Sequence, residues 1–373
     1  MNAKKKNICI SFLGNPEHDS RVSNLKHSLT GEGYSVSIIA FDWRTIKSSL
    51  IAPYYQIHKL NKRNPLEFYS KFFFILIKEL LKTNASIYFA EDIYTLPFVY
   101  FIARLRRAKI IYDSREIYSN LAGLRNKKIV QSIIEYLEKI FIKKVDLVLT
   151  TGEMDTELLK EKFDLKKIAT LRNLPLFNDR FSKINLREKL NIPEDKIILL
   201  YQGVLLEGRG IELILETVSA DEDFVFVVLG EGDFRKKFER ISKELKIDDR
   251  VFFLGAISQS ELSRYTSAAD IGFALIENIS LSYYYALPNK LFEYIMAGVP
   301  VICSDLPQMK KIVDNYGVGE AIDISDKENL LSSLKKLKSD PKLLENYSRN
   351  CRKAAEELNW QKEFEKIKSV LLR

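Results

Sequence analysis

Ten short, almost wholly apolar runs, alternating with stretches of helical period, constrain this chain more than any other feature. A first series reads NICISFL (7–13), SVSIIAF (35–41), SIYFAE (86–91), KIIYDS (109–114) and LVLTTG (147–152). A second reads KIILLYQG (196–203), FVFVVLG (224–230), VFFLG (251–255), IGFALI (271–276) and PVICSD (300–305). A strand with one wet face alternates apolar and polar residues, whereas these runs do not, as expected of parallel strands covered on both faces. Helical segments such as SRVSNLKHSLTGEG, EFYSKFFFILIKELLKTN, RGIELILETVSA and NKLFEYIMAG lie between them. Repeated βα units predict an α/β fold with parallel sheets. LRNLPLFNDRF (171–181) has no helical period and a central proline, which places an interdomain linker there. The last segment, AAEELNWQKEFEKIKSVLLR, reads as one long amphipathic helix.

A chain of 373 residues with 46% apolar content can fill two cores. Its three cysteines, Cys9, Cys303 and Cys351, are odd in number and far apart, so neither a disulfide framework nor a CxxC zinc site is available. With only His18, His27 and His58, a HExxH zinc enzyme is excluded as well. The start, MNAKKKNICISFLG, mimics a signal peptide, but its apolar run is short and leads into GNPEHDSR, so it reads as a first buried strand. FFFILI (72–77) is far short of the roughly 20 apolar residues that a bilayer span needs. These features predict a cytoplasmic protein.

Charge is unevenly placed. Through Asn178 there are 29 Lys and Arg against 18 Asp and Glu, an excess of +11; from Asp179 onward the balance is 29 against 32, or −3. A basic first half suggests an anionic partner, although solvated helix faces account for many such clusters. EFYSKFFFILIKELLKTN and PFVYFIARLRRAK interleave aromatic and aliphatic residues with cations. Such segments suit an interfacial helix and suit equally a helix packed on a sheet.

The sharpest motif is YALPNKLFEYIMAGVPVICSD (285–305). Pro288 leads into a helix that begins with Asn289 and Lys290, and the free N–H groups of its first turn form an anion site. Glu293, one turn on, is placed to accept a ribose hydroxyl pair, and Gly298 ends the helix. Diphosphate at the helix start and ribose on Glu293 would together hold a nucleoside diphosphate.

The whole segment resembles the donor-binding motif of GT-B glycosyltransferases, in particular glycosyltransferase family 4, in which two glutamates stand eight positions apart. The second is Glu293; the first falls on Tyr285, so the likeness is to the variant branch reading LPNKLFEY. Glu277 lies outside the motif as a substitute carboxylate. YQGVLLEGRGIELILE (201–216) resembles the strand–loop–helix that opens the family's C-terminal domain. The likeness gives Arg209 the neutralisation of the donor diphosphate, with Gly203 and Gly210 around it. Val204 stands where relatives have a second cation, a role left to Lys290. VVLGEGDFRKKFE (227–239) resembles the glycine-rich turn carried by Gly230 and Gly232. In the first half, FLGNPEHDSRVSNLKHSL (12–29) and IIYDSREIYSN (110–120) resemble the family's first loop and its acceptor-side loop. They give Gly14 a place against the donor phosphates and make Asp19, Arg21, Asp113, Arg115 and Glu116 acceptor-side candidates, with Arg115 where relatives often carry histidine.

The resemblance implies an α/β GT-B fold, two Rossmann-like domains with parallel sheets facing across a cleft. The expected division is 1–174 for the acceptor side, 175–355 for the nucleotide-sugar side, and 356–373 for a helix crossing back. It implies a retaining, metal-independent hexosyltransferase that uses Arg209, Lys290 and Asp113 as catalytic residues. Pro288, Asn289, Glu293 and the glycines at 14, 203, 230 and 232 would bind the donor. The implied partners are a nucleotide-sugar donor and a glycan or lipid-linked acceptor in cell-surface polysaccharide synthesis, with no cofactor, no metal and no nucleic acid. The charge asymmetry adds an anionic membrane surface, and so a peripheral position on the inner face of the membrane. A UDP-sugar epimerase of the same fold and a catalytically inactive partner-binding protein remain alternatives. A nicotinamide dehydrogenase is excluded because FLGNPEHD lacks GxGxxG.

Overall fold

The computed structural model describes residues 6–43, 55–179 and 182–372. Two compact units partition the chain, one of residues 1–173 and 363–373, the other of residues 174–362. The first unit contains β1 (Asn7–Phe12), α1 (Ser20–Gly31), β2 (Ser35–Asp42), β3 (Tyr55–Lys59), α2 (Pro65–Lys82) and β4 (Ile87–Ala90). It continues through α3 (Leu96–Leu105), β5 (Lys109–Ser114), α4 (Lys128–Ile142), β6 (Leu147–Thr150), α5 (Glu153–Phe163) and β7 (Ile168–Thr170). Its strands form one parallel sheet in the order β3-β2-β1-β4-β5-β6-β7.

The second unit opens with α6 (Leu186–Leu190), β8 (Ile197–Gln202), α7 (Ile211–Ser219), β9 (Phe224–Leu229), α8 (Arg235–Glu244) and β10 (Val251–Gly255). There follow α9 (Gln259–Thr266), β11 (Ile271–Ala274), α10 (Leu281–Tyr284), α11 (Asn289–Ala297), β12 (Val301–Ser304), α12 (Pro307–Tyr316) and β13 (Gly319–Ile322). Then come α13 (Lys327–Ser339) and α14 (Pro341–Glu357), and α15 (Trp360–Leu372) leads back into the first unit. The sheet is again parallel, in the order β10-β9-β8-β11-β12-β13.

All ten apolar runs are strands, and burial explains why they read that way. Every residue of β9 is buried. Its side chains split between two cores, Val225 and Val227 on one face of the sheet and Phe224, Phe226 and Val228 on the other. The strands missing from the sequence reading, β3, β7 and β13, are sheet edges of mixed polarity, and most of their residues are only half-buried. An edge strand lacks a neighbour on one side and need not carry a continuous apolar run, although β10, also an edge, does so in VFFLG.

The C-terminal segment corrects one expectation. The single long helix is two, because α14 stops at Glu357 and Leu358 leaves the helical region at φ −90° and ψ 66°. Asn359 then accepts from the Lys362 N–H at 3.0 Å and starts α15. Of the linker, residues 171–179 carry no helix or strand, while Arg180 and Phe181 lie outside the described residues.

Candidate active site

In open parallel sheets, ligands bind beyond the strands' C-terminal ends, at the point where strand order reverses. In the second unit that point lies between β8 and β11. Tyr201 and Gln202 end β8 there, Gly203 opens the loop that follows, and Glu277 follows β11.

Backbone packing shapes the floor of this edge. The loop after β8 lies on the loop after β9, with Gly203 N–H donating to Leu229 O at 2.9 Å and Leu205 N–H to Glu231 O at 3.0 Å. Gly230, at φ 149°, has no room for a Cβ, which would fall on the Gly203 carbonyl oxygen. The turn predicted for Gly230 and Gly232 is thus present, and loop-to-loop packing is what demands its glycines.

Lys290 and Glu293 stand above this floor on α11. Pro288 is the N-cap residue at φ −74°, and Asn289 is the first helical residue. The Lys290 side chain is buried, and its Nζ lies 3.6 Å from the centre of the Tyr201 ring. A Cβ on Gly203, where φ is 129°, would sit 3.2 Å from the same nitrogen. Burial first, and then the nearby Arg209, push the Lys290 amine well below its ordinary pKa, while Glu293 pulls the other way. Arg209 stacks on Tyr283 with its guanidinium carbon 4.6 Å from the ring centre. Arg209 and Lys290 thus come together at the mouth of the Gly203–Gly210 loop.

Glu293 is held from β8. The Gln202 side-chain amide donates to Glu293 Oε2 at 2.5 Å, and the Thr266 hydroxyl donates to the Gln202 carbonyl oxygen at 2.7 Å. Burial raises the Glu293 carboxyl above its ordinary value, against hydrogen bonds from Gln202 and Gln259. Tyr294 braces the same strand end, accepting from the Gln202 backbone N–H at 3.1 Å. Glu277 is exposed, and its carboxyl accepts a hydrogen bond from the Gly210 backbone. Tyr201, Gln202, Gln259, Thr266 and Tyr283 were not singled out in the sequence. Only Tyr201 and Gln202 carried a signal, as the residues before the first loop glycine.

In the first unit the corresponding reversal lies between β1 and β4. The loop carrying Gly14 is tied to α3 by Asp92, whose carboxylate accepts from Leu13 N–H at 2.6 Å and from Thr95 N–H at 2.8 Å. Asp19 caps α1 by accepting from Val22 N–H at 2.9 Å. Both oxygens of Asp19 also accept from Arg115 at 2.8 Å. Burial works against the Arg115 charge, but Asp19, Glu91 and Asp113 outweigh it. Glu116 is exposed. For Arg21 and Asp113 the structure corrects the expectation of substrate contact. They form a buried bidentate ion pair at 2.5 and 2.8 Å, Arg21 donates further to Leu171 O, and neither side chain has accessible surface. They act as internal supports of this edge. Beside them is a group that sequence reasoning passed over. Glu91 is fully buried at the end of β4, and neither of its carboxylate oxygens has a hydrogen-bond partner among the described residues. Burial, followed by repulsion from Asp113, raises its pKa well above the ordinary value.

Residues 182–354 match the family model described as glycosyl transferases group 1. The alpha-monoglucosyldiacylglycerol synthase of Streptococcus pneumoniae is 28% identical over 233 residues, 58% of this chain and 51% of that protein. The lipopolysaccharide core biosynthesis glycosyltransferase LpsD of Rhizobium meliloti is 27% identical over 162 residues, 43% of this chain and 45% of that protein. The chain thus spans about half the length of these curated relatives. Among solved structures, the sucrose-phosphate synthase of Thermosynechococcus elongatus superposes with a TM-score of 0.81 at 18% identity, covering 98% of each chain. Anabaena Alr3699/HepE in complex with UDP and glucose gives 0.79 at 12% identity, covering 99% of each. The architecture is the GT-B fold of those solved structures, two Rossmann-like units each built on a parallel sheet, and the residues that match the group 1 family model lie in the second unit.

Proposed function

We propose that the protein is a retaining glycosyltransferase that moves a hexosyl group from a nucleotide-sugar donor to a glycan or lipid-linked acceptor in cell-surface polysaccharide synthesis. The observation that carries this reading is the Lys290 amine, held over Tyr201 beside Gly203 and Arg209, with Glu293 one turn further along α11. Two cations converge where a diphosphate would lie, and a carboxylate fixed by Gln202 stands where a ribose would lie. The match to the group 1 family and the relatives acting in glycolipid and lipopolysaccharide synthesis support it.

In this reading Arg209, Lys290 and the first-turn N–H groups of α11 stabilise charge on the departing nucleotide without a metal ion. The leaving phosphate accepts the acceptor's proton, so no side-chain base is required. Asp19 and Arg115 border the acceptor, held in place by the buried Arg21–Asp113 pair. The protein works in the cytoplasm, at the inner face of the membrane, where a lipid-linked acceptor is presented; no described helix is long and apolar enough to cross a bilayer.

A thermal-shift screen against UDP-, GDP-, ADP- and dTDP-sugars, followed by transfer assays with and without EDTA, tests the reading. One nucleotide at 100 times its Kd should stabilise by about 2.7 kcal/mol. Absence of any shift would overturn it. Turnover of the nucleotide sugar without an acceptor would favour the epimerase, and binding without turnover the inactive partner-binding protein. Loss of activity in EDTA would remove the metal-free mechanism.

A further inference from the structure

α2, α3 and α4 run side by side in the first unit, joined by ring contacts of Phe73 with Phe98 at 4.9 Å and of Phe101 with Phe141 at 5.8 Å. Packing on the sheet explains one face of these helices only. On α2 the buried set is Phe68, Phe72, Leu76 and Leu80, yet Leu66, Phe74, Ile77 and Leu81 are exposed, and with Ser70 they form a second stripe at spacings of three and four. α3 adds exposed Phe101 and Leu105, the latter 81% accessible, and α4 adds Ile129, Ile133 and Tyr136. Soluble monomers rarely leave so many large apolar side chains outward on neighbouring helices.

Cations border these stripes. Segments 65–82, 96–107 and 127–144 hold eleven Lys and Arg against four Glu, and Glu79 and Glu138 of those four are buried. The excess of seven is nearly the whole net charge of +8. Where α3 ends, a cavity of about 820 Å³ is lined by Arg104, Arg107, Lys109, Lys166 and Lys167, with Asp146 as its one carboxylate.

We propose that the outward face of α2, α3 and α4 is a docking surface for an anionic lipid bilayer, its apolar stripes at the acyl boundary and its cations against headgroups. The proposal deepens the reading of a lipid-linked acceptor and takes its purpose from it. A second copy of the chain fits the surface poorly, because a twofold contact would oppose like charges. A soluble polyanion would leave the Leu, Ile and Phe side chains in water. Cations near an anionic surface attract over about one Debye length, so the electrostatic part is screened by salt, while burial of Leu66, Phe74 and Leu105 is not.

Cosedimentation with phosphatidylcholine vesicles, with and without phosphatidylglycerol, tests this. The wild type should pellet with the anionic vesicles at low salt, weaken as salt rises, and stay in solution with phosphatidylcholine alone. Phe74→Asp with Leu105→Asp should lower vesicle affinity at least tenfold, and Lys71→Glu with Lys78→Glu should abolish the dependence on phosphatidylglycerol. Unchanged circular dichroism and unchanged nucleotide binding establish that these variants fold, and transfer to a water-soluble acceptor reports separately on the glycosyltransferase reading. Recovery of the wild type in the supernatant at low salt, or equal binding by both variants, would overturn the proposal. So would a wild-type dimer that Phe74→Asp converts to monomer, since the occupant would then be a second copy.

Discussion

Lys290 lies over the Tyr201 ring at 3.6 Å and makes no ion pair among the described residues, so burial opposes the charge of its amine and only the Tyr201 ring and the Glu293 carboxylate, beyond ion-pair distance, favour it. A ring contributes about 2 kcal/mol or somewhat more to a desolvated cation, against a burial cost of several kcal/mol. A diphosphate would supply the missing charge. Lys290→Met should therefore weaken nucleotide diphosphate binding roughly tenfold to a hundredfold, the loss of a charge-assisted bond, while leaving thermal stability equal or higher. Calorimetric titration alongside a melting curve separates the two effects.

Proton linkage follows from the same site. The free-state pKa of Lys290 is depressed, chiefly by burial and then by Arg209, and a bound phosphate would raise it. Binding must then take up protons between the free and bound pKa values, and affinity should fall as pH rises through that interval. Titration in buffers of different ionisation enthalpy measures the uptake. Equal heats in all buffers would mean that Lys290 does not meet the phosphate.

Glu293 couples the site to the strand end, since its carboxylate takes the Gln202 amide and Gln202 takes the Thr266 hydroxyl. Glu293→Ala should raise KM for the donor about tenfold or more and cost about 1–3 kcal/mol by leaving the Gln202 amide unsatisfied. The Arg209 guanidinium stacks on Tyr283 and makes no ion pair among the described residues, so Arg209→Ala should weaken donor use comparably with little change in stability. Steady-state kinetics and urea melts read the contrast.

In the first unit, Asp113→Asn should destabilise by about 3–5 kcal/mol, because it would leave the fully buried Arg21 guanidinium without its counter-charge. Arg21→Met together with Asp113→Leu should recover much of that loss, and denaturant titration of the three variants forms the cycle.

Glu91 predicts a pH dependence of opposite origin. Its folded pKa is raised by burial and by Asp113, so the folded state keeps a proton that the unfolded chain releases. Stability is then highest below the ordinary glutamate pKa and declines as pH climbs toward the folded value. Glu91→Gln should flatten that decline and be more stable than wild type at alkaline pH, by roughly 1–3 kcal/mol. Parallel stability–pH profiles for the two proteins would show that Glu91 carries no proton.

Legibility followed burial. A strand covered on both faces, such as β9, announces itself as FVFVVL, whereas β7, three half-buried residues at an edge, has no pattern to read. The edge proposed to bind the donor was visible because LPNKLFEY places Pro288 at the N-cap and Lys290 and Glu293 at fixed positions in the helix. What stayed hidden were partners fixed by long-range contact, namely Gln202 on Glu293 across 91 positions and Arg21 on Asp113 across 92. Arg21 and Asp113 read as acceptor-side candidates because residue type alone cannot show that each would be sealed in by the other. The outward apolar stripe of α2 was likewise masked, since one segment carries enough Phe and Leu for two faces.

The Arg172–Glu363 contact, a buried bidentate pair at 2.9 and 2.7 Å between residues 191 positions apart, bears on the order of events at the ribosome. The first unit combines residues up to 173 with residues 363–373, which emerge only after the whole of the second unit. A chain growing at about 5–20 residues per second therefore spends roughly 10–40 seconds with Arg172 lacking its carboxylate. During that interval the second unit, continuous in sequence, can close before the unit that precedes it is complete.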